Sequence, residues 1–427
     1  MNPVITDLRP PFAAFTNHQI PSQFQQLFTP AYVIDEGQLH RNGKILASLA
    51  KGTGCKILLA QKAFSNYDFY PLLSQYLAGT EASGLFEAKL GKEMMPGKEV
   101  HVFCGAYRED EFEELLQTAD HIVFNSPGQL KKFGFRAKQA GKSLGLRINP
   151  ECSTQEGHEI YDPCSPGSRL GTTRAVWEDE MSTELIALLD GIHFHTLCEQ
   201  DSDALETTLD AVEEKFGGIL SRMKWLNMGG GHHITRPGYD ILRLEKCIKK
   251  AQNKWGVQIY LEPGEACALN AGFLITRVLD ILTNGEVRIA ILDSSAACHM
   301  PDVIEMPYIP PLFGAAGSDS EENRLGTKEA GTDTFAYRLT GPTCLAGDII
   351  GNYSFPHKLT EGELLIFGDM AIYTTCKNNT FNGMPLPNIW KRSTDGSLIQ
   401  LTHFGYEDFK MRLGSPHPQG KNQFSDN

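Results

Sequence analysis

The chain has 427 residues, 52 acidic against 39 basic side chains, and a formal net charge of -13. That length exceeds one ordinary core and implies two domains, and a 41% hydrophobic content is enough to fill them. The acidic balance argues against nucleic acid as a partner and suits a small cationic ligand. No run approaches the ~18 apolar residues of a membrane helix, so no membrane partner is expected. The opening MNPVITDLRPPFAAF lacks the basic-then-apolar order of a secretory signal. Ten cysteines are scattered with no CxxC pair, which excludes a zinc ribbon and reads as reduced thiols in a cytoplasmic protein.

Residues 1–28, rich in Pro, Phe and Gln, read as an arm with little structure of its own. From Thr29 short β-rich runs alternate with amphipathic ones. Eight strands are predicted: Ile57–Ala60, Gly79–Ser83, Val100–Phe103, His121–Phe124, Leu144–Ile148, Gly191–His195, Trp225–Met228 and Val257–Leu261. Helical patterns lie between most of them, among them Ser65–Leu77, Glu109–Gln117, Gly128–Gln139, Ser202–Phe216 and Tyr239–Asn253. The alternation implies parallel strands with crossover helices. Eight units at this spacing suggest a (β/α)8 TIM-like barrel over 29–265, with a doubly wound sheet as the alternative.

Residues 266–413 lose the helical period. The runs Phe273–Leu282, Val287–Leu292, Ala336–Leu339 and Leu364–Phe367 between turn residues predict an antiparallel β domain. Gly314–Thr334 reads as an exposed loop, and 414–427 as a loose tail.

Ligands of a barrel bind where the strands end, so residues there are weighed first. Lys62 follows the first strand in ILLAQKAF. Partial burial lowers a lysine pKa and frees a neutral amine to bond a carbonyl; a surface lysine at a helix start is the alternative, and the one Lys62 taken alone favours. His193 and His195 in GIHFHTLCE share one side of a strand. His195 can stack on an aromatic cofactor or be a hydrogen-bonded core histidine. With His232 and His233 these histidines hint at metal, but no carboxylate matches and no metal site is expected. Gly229, Gly230 and Gly231 let backbone approach an anion such as phosphate, or simply make a tight turn. Glu262 in LEPGEA can pair with a pyridinium nitrogen or be satisfied by backbone amides. Cys344 follows Gly-Pro in GPTCLAGD, where a turn presents the thiol, and the Tyr373 hydroxyl can donate to a phosphate.

In this order the motifs resemble the alanine racemase-like, fold-type III pyridoxal-5'-phosphate (PLP) enzymes, within them the ornithine/diaminopimelate decarboxylase group. The resemblance runs from about Thr29 to Trp390. It covers Lys62, Arg147 in LRINP, FHTLC, GGG, EPG, GPTC, and Tyr373 with FNG. TPAYVID, LLAQKAF, HFHTLCE, LNMGGGHH, LEPGEA, GPTCLAGD and above all CHMPDVIEMPY are similar to the carboxynorspermidine/carboxyspermidine decarboxylases.

The resemblance implies that Lys62 carries PLP covalently, His195 stacks on its ring and Glu262 pairs with its nitrogen. Gly230, Gly231 and Tyr373 hold the phosphate. Arg147 orients its neighbours, and Glu81 in GTEAS helps place the lysine. Cys344 reaches the site of a second copy in a head-to-tail homodimer with shared active sites. The implied reaction is loss of CO2 from a carboxylated polyamine, with another basic amino acid as the alternative substrate and a non-catalytic PLP-binding protein as the alternative of another class.

Two positions depart from the group. Leu345 stands where an acid usually follows the cysteine, which disfavours ornithine, lysine and diaminopimelate. Glu265 stands where an arginine usually follows EPG, which shifts the phosphate's support onto the glycine amides. Asp302 and Glu305 are expected to meet the substrate's cationic amines, or else are ordinary surface acids.

Overall fold

The computed structural model of the chain describes residues 12, 20–155, 162–317 and 334–414. It divides into two compact units, residues 38–269 and residues 1–37 with 270–427. The first strand, β1 (Ala31–Asp35), belongs to the second unit. The next eight are β2 (Lys56–Ala60), β3 (Gly79–Ala82), β4 (Glu99–Phe103), β5 (His121–Phe124), β6 (Ser143–Arg147), β7 (Gly191–His193), β8 (Trp225–Asn227) and β9 (Gln258–Leu261). They close a parallel barrel in which β9 returns to pair with β2.

All eight predicted barrel strands are present, with ends shifted by one or two residues. His195 is the notable shift, because β7 stops at His193. The barrel, not the doubly wound sheet, is therefore the architecture. Its interior is filled by large side chains such as Leu58, Val123, Trp225 and Tyr260. Trp225 shows how the sequence makes room. A Cβ on Gly145 or Gly191 would lie 2.3 and 2.0 Å from its indole, so the adjacent strands β6 and β7 carry glycine where β8 carries the ring. The indole N–H then donates to Ser143 Oγ (2.9 Å). The crossover helices follow the predicted amphipathic runs, for example Glu109–Thr118, Pro127–Gln139, Ser202–Leu220 and Ile241–Trp255. The predicted Ser65–Leu77 helix shrinks to a 3-10 turn and Tyr70–Leu73.

The second unit holds β10 (Gly272–Asn284), β11 (Val287–Leu292), β12 (Ala316–Gly317), β13 (Phe335–Thr340), β14 (Ile349–Phe355), β15 (Leu364–Gly368), β16 (Asn388–Arg392) and β17 (Leu398–Thr402). With β1 they make a nine-stranded sheet in the order β12-β14-β13-β11-β10-β1-β16-β17, with β15 also on β10. The sheet corrects two expectations. It is mixed and not purely antiparallel, because β1 joins β16, and β11 joins β13, in parallel. The barrel unit also begins at residue 38, not 29, because β1 pairs with β10 and β16.

β1 is buried on both faces. Tyr32 packs with Leu274 in one cluster, while Ala31 and Val33 pack with Phe273 and Ile275 in another, as the two-residue period of a strand requires. Asp35, 2% exposed, is neutralised by Arg392 at 2.6 Å. The described end of the N-terminal arm is also packed: Phe24, in the turn Ser22–Gln26, is fully buried against the second cluster. Most of the predicted 314–334 loop and nearly all of the tail lie outside the described residues.

Candidate active site

The C-terminal ends of the barrel strands gather the predicted polar residues. Lys62 lies two residues beyond β2 in a tight turn, half-buried. Glu81 is on β3, Arg147 ends β6, His193 ends β7, Asn227 ends β8, and Glu262 follows β9 directly. Five of these, Glu81, Arg147, His193, Asn227 and Glu262, are buried.

Glu262 is the centre of the group. Asn227 Nδ2–H donates to its Oε1 (2.5 Å) and His193 Nε2 meets its Oε2 (3.1 Å). Side chains, not the backbone amides of the alternative reading, therefore satisfy it. Burial alone would raise its pKa, but the histidine contact and the Lys62 charge hold the carboxyl below its ordinary value. Burial lowers the His193 pKa, opposed by the adjacent Glu262 charge. Glu81 responds in the opposite direction. Burial and the Glu262 charge raise its pKa, opposed by Lys62, and its Oε2 has no hydrogen-bond partner among the described residues. One ionised and one proton-retaining carboxyl thus share the barrel mouth with a lysine.

Arg147 donates from Nη2 to the His195 carbonyl (3.0 Å) and lies over the Phe103 ring, 4.6 Å from its centroid. Burial brings its pKa down to about 10, which leaves it cationic at neutral pH. Phe103 stacks in turn on His193, 5.4 Å between centroids. Burial drives the His195 pKa well below its usual value.

The glycine run has the shape of an anion cradle. Gly229 and Gly231 have φ of +69° and +76°, a region costly to residues with a Cβ. A Cβ on Gly230 would sit 2.6 Å from the Glu262 carbonyl oxygen and 3.1 Å from His195 Cε1. The Gly229 N–H is spent on Asn227 Oδ1 (2.9 Å), so any anion donors of this loop are the N–H groups of Gly230 and Gly231. A positive-φ glycine loop packed closely against His195 and Glu262, a carboxylate held ionised and an orphaned buried carboxyl oxygen are a set that fits PLP.

In the sheet unit, Cys344 is exposed and its N–H donates to Asn382 Oδ1 (2.7 Å). Asp348, 2% exposed, braces the same turn by accepting from Ser295 Oγ (2.9 Å), Thr343 Oγ1 (2.6 Å) and Ala297 N (3.2 Å). Tyr373 is half-buried with φ +57°, a strained value for an aromatic residue. Asp302 and Glu305, expected to meet the substrate's amines or to be ordinary surface acids, are engaged by a cation of the chain itself. Lys377 bridges them, contacting Asp302 Oδ1, and Glu305 Oε2 at 2.5 Å, because the short helix Thr374–Lys377 projects its only cation at Asp302–Glu305.

Sequence reasoning missed Asn227, Asp348 and Asn382, and it noted His193 without its partner. The adjacency of Asn227 to GGG was the available signal.

One further cluster lies at the opposite, N-terminal end of the barrel. Glu99, His101 and His121 place potential ligand atoms within 4.8 Å of one another. Their rings stack at 3.9 Å and 10°, so the nitrogen lone pairs run side by side and do not converge on one ion, and Lys56 already neutralises Glu99. Among the described residues, no helix is long and apolar enough to cross a membrane, and no disulfide forms.

Comparison with known proteins agrees with this geometry. The chain matches the pyridoxal-dependent decarboxylase family, C-terminal sheet domain, over residues 31–371. It is 43% identical to the carboxynorspermidine/carboxyspermidine decarboxylase of Campylobacter jejuni, covering 91% of this chain and 99% of that one. It is 38% identical to the carboxyaminopropylagmatine decarboxylase of Synechocystis, covering 92% and 97%. The crystal structure of carboxynorspermidine decarboxylase complexed with norspermidine from Campylobacter jejuni superposes with a TM-score of 0.82 at 42% identity, over 90% of this chain and all of that one. A PLP-fitting barrel mouth, a sheet unit and matches along nine-tenths of its length place this chain in the pyridoxal-dependent decarboxylase family.

Proposed function

We propose that the chain removes CO2 from carboxynorspermidine or carboxyspermidine to give norspermidine or spermidine. The observation that carries the reading is the buried carboxylate Glu262, held ionised by Asn227 and His193 beside the glycine cradle, in a chain 43% identical to an enzyme of that name. When bound, PLP supplies an electron sink conjugated to the substrate's α-carbon. Lys62 is the amine that anchors it. Glu262 accepts a hydrogen bond from the ring N–H and keeps that nitrogen protonated. His195 would cover one ring face, and Gly230 and Gly231 would hold the phosphate. Glu81, retaining its proton, places the Lys62 amine without competing for it as a second anion, and Arg147 fixes the His195 backbone.

The Cys344 thiol delivers its proton from Sγ to the α-carbon that CO2 has left. Its exposure in the single chain fits a role in the site of a second copy, in a head-to-tail homodimer. Leu345 offers no charge to a distal ammonium, so recognition falls to Asp302 and Glu305, where the substrate's ammonium takes the place of Lys377. Reduced thiols fit a cytoplasmic enzyme. The acidic surface and the small cationic substrate leave nucleic acid no part in this reading.

The test is CO2 release from carboxynorspermidine, carboxyspermidine, carboxyaminopropylagmatine, diaminopimelate, ornithine and arginine. Turnover of the carboxylated polyamines with the other amino acids inert is the expected result. The reverse pattern defeats the substrate assignment. PLP that binds and exchanges without any turnover revives a non-catalytic carrier.

A further inference from the structure

Asn227 makes two hydrogen bonds at once, one as acceptor and one as donor. Its Oδ1 accepts the Gly229 N–H (2.9 Å) and its Nδ2–H donates to Glu262 Oε1 (2.5 Å). The Glu262 N–H donates back to the Gly229 carbonyl (2.7 Å). These three bonds close a ring of contacts through the end of β8, the glycine loop and the residue after β9. Asn227 is fully buried, so water cannot replace either bond. His193 occupies the second carboxylate oxygen. Each oxygen keeps a lone pair for a further donor.

We propose that Asn227 is a positioning residue that couples Glu262 to the glycine loop, so that the partner of the ring nitrogen and the donors to the phosphate hold one fixed spacing. It touches neither cofactor nor substrate. An aspartate would keep the acceptor for Gly229 and lose the donor for Glu262; a leucine would lose both. The inference rests on the reading that Glu262 faces the ring nitrogen.

The experiment titrates apo-protein with PLP by absorbance and measures kcat and KM for carboxynorspermidine from pH 6 to 9. For Asn227→Leu, the PLP Kd rises and kcat falls by about 10- to 100-fold, the equivalent of one hydrogen bond to a charged group, with KM changed much less. Asn227→Asp sets two carboxyls side by side. At the acid end the pair shares one proton and mimics the amide; at higher pH both ionise and repel. PLP affinity and kcat of this variant therefore start near wild type and fall as pH rises, a profile the wild type lacks. A residue that served only packing would give a loss of one size at every pH.

PLP binding by Asn227→Leu within about twofold of wild type, or a pH-independent defect in Asn227→Asp, overturns the proposal. Should the leucine variant fail to fold, the aspartate pH profile decides alone. Wild-type protein that binds no PLP defeats the functional reading and this one together; normal wild-type binding with unaltered variants defeats only this one.

Discussion

Replacing Asp348 by Asn tests whether the turn bearing Cys344 is braced from below. The carboxylate is buried and takes three donors on Oδ2, from Ser295 Oγ, Thr343 Oγ1 and Thr343 N, and one on Oδ1, from Ala297 N. An amide must turn its NH2 toward one side. The cheaper choice opposes the Ala297 N–H at 3.2 Å. That loses one charge-assisted bond, roughly 1.5–3 kcal/mol, and leaves the part-buried Ala297 N–H without its acceptor. At about 2–4 °C per kcal/mol for a unit of this size, the first calorimetric transition drops by at least about 3 °C. The same variant is assayed for Cys344 alkylation by iodoacetamide, followed by mass spectrometry. A turn that has lost its brace changes that rate several-fold and lowers kcat, while PLP binding in the barrel is retained. A melt within about 1 °C of wild type with unchanged alkylation refutes the reasoning.

Lys62→Ala folds but loses the visible absorbance of lysine-bound PLP; persistence of that band in folded variant protein would move the anchor to another lysine. Asp302→Asn raises KM for the carboxylated polyamine about tenfold, the cost of one charged contact, with PLP affinity unchanged; an unaltered KM removes Asp302 from substrate recognition. Acid lowers stability through histidines whose pKa burial or partial burial depresses. Burial brings His121 down to about 3 and His232, His233 and His299 down to about 4. Below about pH 6.5 the unfolded chain takes up protons that the folded one refuses, so the melting temperature falls steadily between pH 6.5 and 4. A melting temperature flat from pH 7 to 5 contradicts this.

The sequence makes the barrel legible because each buried parallel strand is a short apolar run followed by an amphipathic segment, and those signals are local. Pairing across the chain is not local. AYVID reads as a buried strand in either unit, and nothing near Ala31 announces that its neighbours are Gly272–Ile275 and Asn388–Arg392. Half of the eight later strands escape notice for a related reason: β12 is two exposed residues, while β14, β16 and β17 carry polar or exposed positions that blur the alternation. In the site, Lys62, Glu262 and the glycines are legible through motif order. Asn227 is not, because an asparagine at a strand end has no period and its meaning comes from a carboxylate 35 residues away. The Lys377 bridge was hidden likewise, since charges 75 and 72 residues apart meet only after folding.

The placement of β1 has a consequence for how the molecule is made. This strand emerges from the ribosome before any of the barrel, yet its antiparallel neighbour β10 follows the whole barrel and its parallel neighbour β16 comes later still. The barrel's strands, by contrast, find their partners in order of synthesis, with only the β2–β9 seam awaiting the last of them. Co-translational folding therefore completes the barrel as an insert, while β1 waits as an unpaired apolar ribbon. Chaperone capture and early aggregation should concentrate on that ribbon; stop codons placed before residue 272 should leave it with neither neighbour, and those between β10 and residue 388 with β10 alone.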